Sequence, residues 1–329
     1  MSGGFLSETV RLLLHYGEPT QAPTSLVAKC PAENTQARGV AAFLGMYERE
    51  VQFYRELAPR LDLRVPRCYL HRLEVDGDFT LLLEDVAGAT MHDQDAGCGL
   101  DDARLALDAA ATLHGAFWND PQLAALPWLN RFGEAEAGMW QEMYRHAWPA
   151  FLGRDGVRLD PTLTALGDRL AASDIPEWIS RHGGPLSLAH TDFHLSNLLY
   201  RGGSRGGDVR EAVVLDWQLV AEAPPLVDVA FFLGRLPTEA RRTSEEDLVR
   251  FYHRRLAAGG VYGYGWQQCW TDYQRWTWFG VLSAVVASVA YPLGEADLPR
   301  YTRKVARFLR AVHDHDAVRF LSRRRGESR

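Results

Sequence analysis

The apolar positions of this chain change period near Val86. Before it, apolar residues fall in short runs bounded by turn residues, and Leu12 to Leu14, Leu26 to Ala28, Cys68 to Leu73 and Phe79 to Glu84 read as strands. Val75-Asp76-Gly77-Asp78, between the last two, carries the Asp-Gly signal of a hairpin turn. Arg38 to Leu57 breaks the strand pattern. There Val40, Phe43, Leu44, Tyr47, Val51, Tyr54 and Leu57 recur at intervals of three and four, which predicts an amphipathic helix packed on that sheet. After Val86-Ala87-Gly88-Ala89 the period turns helical. Helices are expected over Asp101 to Trp118, Phe132 to Trp148, Pro161 to Ile179, Ser244 to Ala258, Trp266 to Tyr291 and Leu298 to Leu321, with Asp101 and Asp102 favouring the positive end of the first. Inside this helical stretch, Asn197-Leu198-Leu199-Tyr200 and Ala212-Val213-Val214-Leu215 flank the turn-rich Arg201 to Asp208 and predict an antiparallel hairpin. The pattern is α+β, with a boundary expected between residues 1–86 and 87–329.

Composition narrows this picture. A chain of 329 residues with 47% hydrophobic content can bury one extended core or two lobes sharing a cleft. A net charge of −6 supplies no basic field for nucleic acid. Cys30, Cys68, Cys98 and Cys269 are scattered without a C-x-x-C pair, which fits a reduced cytoplasmic setting rather than a disulfide framework or a zinc site. No signal-peptide pattern opens the chain, and the longest nearly apolar run, Phe279 to Leu293, is short for a bilayer and reads as a buried helix. No membrane and no obligate protein partner is expected. The Arg323-Arg324-Arg325 tail reads as a solvated terminus.

The chemistry concentrates in the predicted hairpin. His190 to Asn197 reads H-T-D-F-H-L-S-N, and Asp216-Trp217-Gln218 closes the second strand. Antiparallel pairing brings Asn197 beside Asp216, so two hard oxygen ligands face one point, which suits magnesium completed by phosphate and water. In kinase-type sites the first Asp, here Asp192, orients the acceptor hydroxyl and takes its proton, while the Asn and second Asp hold magnesium against ATP. Ser196 reads as loop support, and His194 as either loop support or a phosphate or substrate contact. Upstream, Ser25-Leu26-Val27-Ala28-Lys29 is a strand ending in a Lys of the kind that reaches nucleotide phosphates. Glu50 is its expected partner because it lies three residues after Tyr47 and four before Tyr54, bordering the apolar stripe; Glu48 and Glu56 are rivals that read as solvated charges. Ser2, Gly3 and Gly4 run into the first strand and are candidates to cover ATP phosphates with backbone N–H groups, although the strand that should precede such a loop is missing.

These pieces together resemble the aminoglycoside phosphotransferase and choline kinase superfamily. Glu48 to Leu57, Leu83-Glu84-Asp85-Val86, Asp216-Trp217-Gln218 and Asp228 to Leu233 are similar in particular to its ecdysteroid-kinase-like branch. The resemblance implies a bilobal protein-kinase-like fold, a small β-rich N-terminal lobe with one helix and a larger helical C-terminal lobe. It also implies Asp192 as catalytic base, Asn197 and Asp216 as metal ligands, Lys29 paired with Glu50 at the ATP phosphates, and Glu84 and Val86 as hinge residues facing adenine. Thr191 departs from the usual Gly. A small-molecule O-phosphotransferase using ATP and magnesium is the expected activity, with a nucleotide-binding pseudokinase or regulatory module without turnover as the alternative. A protein kinase lacks its A-P-E segment here, and no G-x-G-x-x-G follows a strand as an oxidoreductase of the dinucleotide-binding type would need.

The acceptor stays open at this level. An aminoglycoside would call on carboxylates such as Glu134, Glu136, Glu142, Asp272, Glu295 and Asp297. A choline-like cation would favour the aromatic segment Trp266, Trp270, Tyr273, Trp276 and Trp278, which otherwise reads as core, and a steroid-like alcohol would need a larger apolar cleft. His114 reads as a core histidine and Asp228 as a helix cap, which by the resemblance also braces the catalytic loop.

Overall fold

The computed structural model describes residues 6–74, 77–202, 210–290 and 293–322, and within these the side chains of residues 134, 135 and 290 are not described. The N-terminal part is a four-stranded antiparallel sheet in the order β1-β2-β4-β3, built from β1 (Ser7–Leu13), β2 (Ser25–Pro31), β3 (Cys68–Leu73) and β4 (Phe79–Glu84). Alternation places Phe79, Leu81 and Leu83 of β4 on the buried face, and Lys29 of β2 pairs with Thr9 on one side and Leu81 on the other. The first strand begins earlier than the apolar run Leu12 to Leu14 suggests, because ladder pairing extends it through polar Ser7, Glu8 and Thr9.

Between β2 and β3 the expected single helix is divided. α1 (Thr35–Phe43) starts on the Asn34 side chain, which accepts from the Ala37 N–H, and α2 (Met46–Gln52) follows Gly45, whose φ of 64° breaks the helical path. A π turn, Phe53–Leu57, then widens the helix end and keeps Phe53, Tyr54 and Leu57 inside. The apolar spacing survives both irregularities, so the period alone does not reveal them.

The rest is mainly helical: α3 (Leu100–Ala116), α4 (Glu134–Leu152), α5 (Pro161–Ala171), α6 (Ile175–Ser180), α7 (Leu226–Arg235), α8 (Thr238–Ala258), α9 (Trp266–Ala290) and α10 (Leu298–Asp314). The helix expected over Pro161 to Ile179 is two helices, because Asp174 caps the second by accepting from the Glu177 N–H. α10 stops before Leu321, where Asp316 takes a left-handed φ of 46° and a short 3₁₀ turn follows. α9 is the central helix, packed on α4, α7 and α10, with Tyr273, Trp276, Trp278, Val281 and Val285 fully buried. That settles most of the aromatic segment as core. Numbering short strands in chain order, β5 (Asn130–Arg131), β6 (Ser187–Ala189) and β9 (Ala221–Ala223) form a small sheet too brief to read from sequence, and β7 (Leu198–Arg201) pairs with β8 (Glu211–Val214). The fold is the α+β, protein-kinase-like arrangement of an N-terminal antiparallel sheet and a helical C-terminal part. Among the described residues no helix is long and apolar enough to cross a membrane. Ser2, Gly3, Gly4, the 203–208 part of the hairpin connection and the Arg323-Arg324-Arg325 tail lie outside the described residues.

Candidate active site

β7 and β8 pair antiparallel with Leu198 opposite Val214, and the Leu215 N–H donates to the Asn197 carbonyl at 2.9 Å. Asn197 therefore sits in the 3₁₀ turn just ahead of one strand and Asp216 just beyond the other. Asp216 has a φ of 64°, a left-handed backbone that an Asp tolerates better than a branched residue and that turns its carboxylate out of the hairpin.

The Lys29 ammonium meets that carboxylate. Its Nζ lies 2.6 Å from Asp216 Oδ1 and 2.7 Å from Glu50 Oε2, so one cation joins the sheet, the α2 helix and the hairpin. Glu50 and Lys29 are buried, while the Asp216 side chain is 29% exposed. Burial works against the Lys29 charge, but Asp216 and Glu50 outweigh it and hold the pKa above the ordinary lysine value. Glu48 is exposed and Glu56 binds Arg55 and the Trp128 indole, so neither competes for Lys29. Docking of α2 has further supports absent from the sequence reading. Arg49 Nε donates to the Gln218 carbonyl at 3.0 Å, and the Trp217 ring stacks on Phe53 with centroids 3.8 Å apart.

Asp192 lies on the loop between β6 and the Asn197 turn. Asn197 Nδ2 donates to the Asp192 carbonyl at 2.9 Å and to its Oδ2 at 3.2 Å, leaving Asn197 Oδ1 uncommitted among the described residues. His194 resolves as a loop member: its Nδ1 accepts from the Ser196 N–H, and its Nε2 is 3.4 Å from Asp192 Oδ1. Burial pushes the His194 pKa down to about 4, so the ring is neutral near pH 7. Burial opposes the Asp192 charge, yet His194, Arg235 and His190 overcome it and the pKa falls to about 2. The Ser196 hydroxyl forms no loop-fixing bond among the described residues and instead lines a cleft with α7 and α10.

Asp228 sits inside the first turn of α7, wholly buried, rather than capping it. Its Oδ2 accepts from the His190 N–H and its Oδ1 from the Thr191 N–H, both at 2.7 Å, and His114 Nε2 lies 3.0 Å from Oδ2. His114 in turn meets the Tyr252 hydroxyl at 2.8 Å, a core role. Thr191 adopts a φ of 61° and its hydroxyl donates to the Leu219 carbonyl at 2.6 Å. Gln94, which no local pattern flagged, accepts from the Leu195 N–H at 3.0 Å and holds the loop from the other side.

Glu84 and Val86 follow the last sheet strand. The Glu84 side chain is held by Arg64 and by the Arg67 N–H, and the Val86 carbonyl accepts from the Ala89 N–H at 3.3 Å. The Val86 N–H forms no hydrogen bond among the described residues. The acidic candidates scatter: Glu142 pairs with Arg145, Asp272 is buried against Tyr264, and the Glu134 side chain is outside the described residues.

The hairpin sets the backbones of Asn197 and Asp216 side by side, and both side chains carry hard oxygens. Among the described residues no cluster of three His, Cys, Asp or Glu side chains suits a metal ion. A hard cation held here would complete its shell from oxygens that the protein does not supply, as a phosphate-bound one does.

Sequence and fold comparisons agree with each other. The sequence matches the model of the ecdysteroid kinase-like family over residues 2–119 and 127–259, and the chain belongs to that family. No curated protein sequence matches it. Among solved structures, the GDP complex of wild-type aminoglycoside 2'-phosphotransferase-IIIa is similar with a TM-score of 0.55 at 15% identity, covering 96% of this chain and 91% of that one. An ethanolamine kinase from Plasmodium vivax is similar with a TM-score of 0.52 at 13% identity, over 87% of this chain and 75% of that one. A spectinomycin phosphotransferase in complex with ADP and spectinomycin is similar with a TM-score of 0.51 at 11% identity, over 93% of each chain. At these identities the likeness carries the fold, which is that of small-molecule kinases.

Proposed function

We propose that the protein is a small-molecule O-phosphotransferase that moves the γ-phosphoryl group of ATP to a hydroxyl in a magnesium-dependent reaction. The observation that carries this reading is the Lys29 ammonium held between Glu50 and Asp216, beside the loop that presents Asp192 and Asn197. The nucleotide would lie between residues 1–86 and 87–329, with adenine against Glu84 and Val86 and the phosphates at Lys29. Ser2, Gly3 and Gly4, outside the described residues, are the candidate backbone donors to the phosphates. Magnesium, held by Asn197 and Asp216, would neutralise phosphate charge.

Asp192 accepts a hydrogen bond from the acceptor hydroxyl and fixes its line of approach. With a pKa of about 2 it is ionised at any working pH and is a weak base, so it takes the proton late, as the oxygen–phosphorus bond forms and the bond to the ADP oxygen breaks. Positioning and charge, rather than a covalent intermediate, supply the acceleration.

Thermal shift with ATP, with magnesium and with both tests the nucleotide site. The two together should stabilise more than either alone, by mass action on the native state. Asp216→Ala should abolish the magnesium-dependent part, and an unchanged shift in that variant removes Asp216 from the metal site. Synergistic binding without phosphoryl transfer to any alcohol would favour the binding-module alternative.

A further inference from the structure

A cleft of about 270 Å³ opens beside the Asp192 loop, walled by Ser196, the end of α7 and one face of α10. Close packing explains why two cations meet there. Gly234 and Gly280 have no side chain where the Phe308 ring sits, and a Cβ at either would come within 2.7 and 2.2 Å of that ring, so α10 is drawn tightly against α7 and α9. Arg235 directly follows Gly234, and Lys304 lies one helical turn before Phe308 on the same face of α10.

The charge opposing both cations is Asp192, with Asp95 also acting on Arg235, and neither carboxylate is in ion-pair contact with them. Neither Arg235 nor Lys304 forms an ion pair among the described residues, and Arg235 Nε is buried with no hydrogen-bond partner. Lys304 Nζ rests 3.7 Å over the Tyr301 ring. Their neighbours are treated differently: Arg300 and Arg303 bind Asp95 at 3.0 and 3.3 Å, and Arg307 donates to the Arg235 and Asp95 carbonyls at 2.9 Å. Asp95 and Asp297 are the acidic members of the wall, against Arg235, Arg300, Lys304 and Arg307. Holding two partly buried cations side by side with no carboxylate in ion-pair contact is costly, and it leaves a site that an oxyanion can complete.

Resting on the phosphotransferase reading above, we infer that this cleft is the acceptor site and that the acceptor is a small hydroxy acid whose carboxylate or phosphate sits between Arg235 and Lys304 while its hydroxyl reaches Asp192. The wall contains Ser196 from the Asp192 loop and none of Lys29, Glu50 or Asp216, which separates it from the proposed nucleotide site. Its volume is just below the range usual for drug-sized ligands, which favours a compact acid over an oligosaccharide or macrolide. Its charge disfavours polyamines. In the step itself the acid's hydroxyl oxygen bonds to the γ-phosphorus, ADP leaves, and the proton passes to Asp192.

Matched probes test this: glycerate against glyceramide, and glycerol 3-phosphate against glycerol, each scored by thermal shift in the presence of magnesium and ADP and by phosphorylation with ATP. At least one acid should outperform its neutral twin in both measurements, and which one does identifies carboxylate or phosphate as the anion. Lys304→Gln should raise KM for that acid by ~10- to 100-fold, and Lys304→Arg should restore most of the preference. Neither acid outperforming its neutral twin overturns the inference, as does a preference that survives Lys304→Gln or a loss that falls on KM for ATP instead. Wild-type protein that fails to bind magnesium and ATP at all counts against the phosphotransferase reading itself. Nucleotide binding with transfer only to neutral or cationic alcohols counts against the hydroxy-acid inference alone.

Discussion

Two groups of charges flank Asp192, and they are finished to different degrees. On the sheet side Lys29 has two carboxylates within 2.7 Å, so its burial is compensated inside the protein. On the helical side Arg235 and Lys304 are drawn together by the packing of α7 and α10, and Asp192 opposes both charges without an ion-pair contact among the described residues. The first cluster is closed by its own ion pairs; the second is compensated only in part, by a carboxylate outside ion-pair contact. A self-contained ion pair organises a fold and positions a group, whereas a partly compensated pair stores affinity for whatever brings the opposite charge. Perturbing the two clusters should therefore move stability in opposite directions.

The largest effect belongs to the residue between them. Asp192→Asn keeps size but cannot accept the hydroxyl proton, so turnover should fall by on the order of 10²–10⁴ with little change in ATP affinity. Retained turnover would show that neither cluster works through this carboxylate.

Next comes the compensated side. Glu50→Ala strips one partner from a buried Lys29 and should cost ~3 kcal/mol in denaturant unfolding, at the low end for a broken buried pair because Asp216 remains. Glu48→Ala, on the exposed face, should stay within about 0.5 kcal/mol. In phosphoryl transfer Lys29→Ala and Glu50→Ala should be far from additive, since either loss releases the same ammonium. Effects that multiply in the double variant would mean the pair does not act as a unit.

The partly compensated side should respond the other way. Lys304→Met removes a desolvated cation with no ion-paired carboxylate among the described residues and should raise the stability of ligand-free protein by about 1 kcal/mol, after losing the contact with the Tyr301 ring. Stability gained where binding is lost is the usual signature of a functional site. A Lys304→Met variant that melts earlier than wild type would make this lysine structural and erase the contrast between the clusters.

The same contrast marks how far the sequence could be read. Lys29 and Glu50 are legible because each is fixed by local pattern, an apolar run that ends in Lys, inside a strand that continues to Pro31, and a Glu bordering an apolar stripe. Asn197 and Asp216 become neighbours through a hairpin whose turn residues lie between them. Arg235 and Lys304 carry no such mark. In sequence one is a cation at a helix end and the other a polar position on an amphipathic helix, and only the absence of side chains at Gly234 and Gly280 brings them to one cleft. The break at Gly45 was hidden for a related reason, since apolar spacing on both sides of it continues the same face. Asp228 looks like a cap in sequence because it follows Pro224-Pro225-Leu226-Val227 and precedes an apolar segment, yet its partners are loop N–H groups from a distant segment.

The most finely balanced effect lies at the seam. Thr191 ties the Asp192 loop to the turn carrying Asp216, through its hydroxyl bond to the Leu219 carbonyl, while holding a left-handed φ of 61° that a branched residue adopts at a cost of roughly 1–2 kcal/mol. Thr191→Gly relieves that strain and keeps the backbone bond to Asp228. It also loses the hydroxyl bond, worth ~1 kcal/mol, and loosens the unfolded chain by a further ~0.4–1 kcal/mol. The terms oppose, so its unfolding free energy should stay within about 1 kcal/mol of wild type. Thr191→Val keeps the strain and drops only the hydroxyl, so it should be destabilised by ~1–2 kcal/mol. A neutral Val variant together with a Gly variant stabilised by more than ~2 kcal/mol would show that the hydroxyl holds nothing, and that the loop and the Asp216 turn are joined by Asn197 and the hairpin alone.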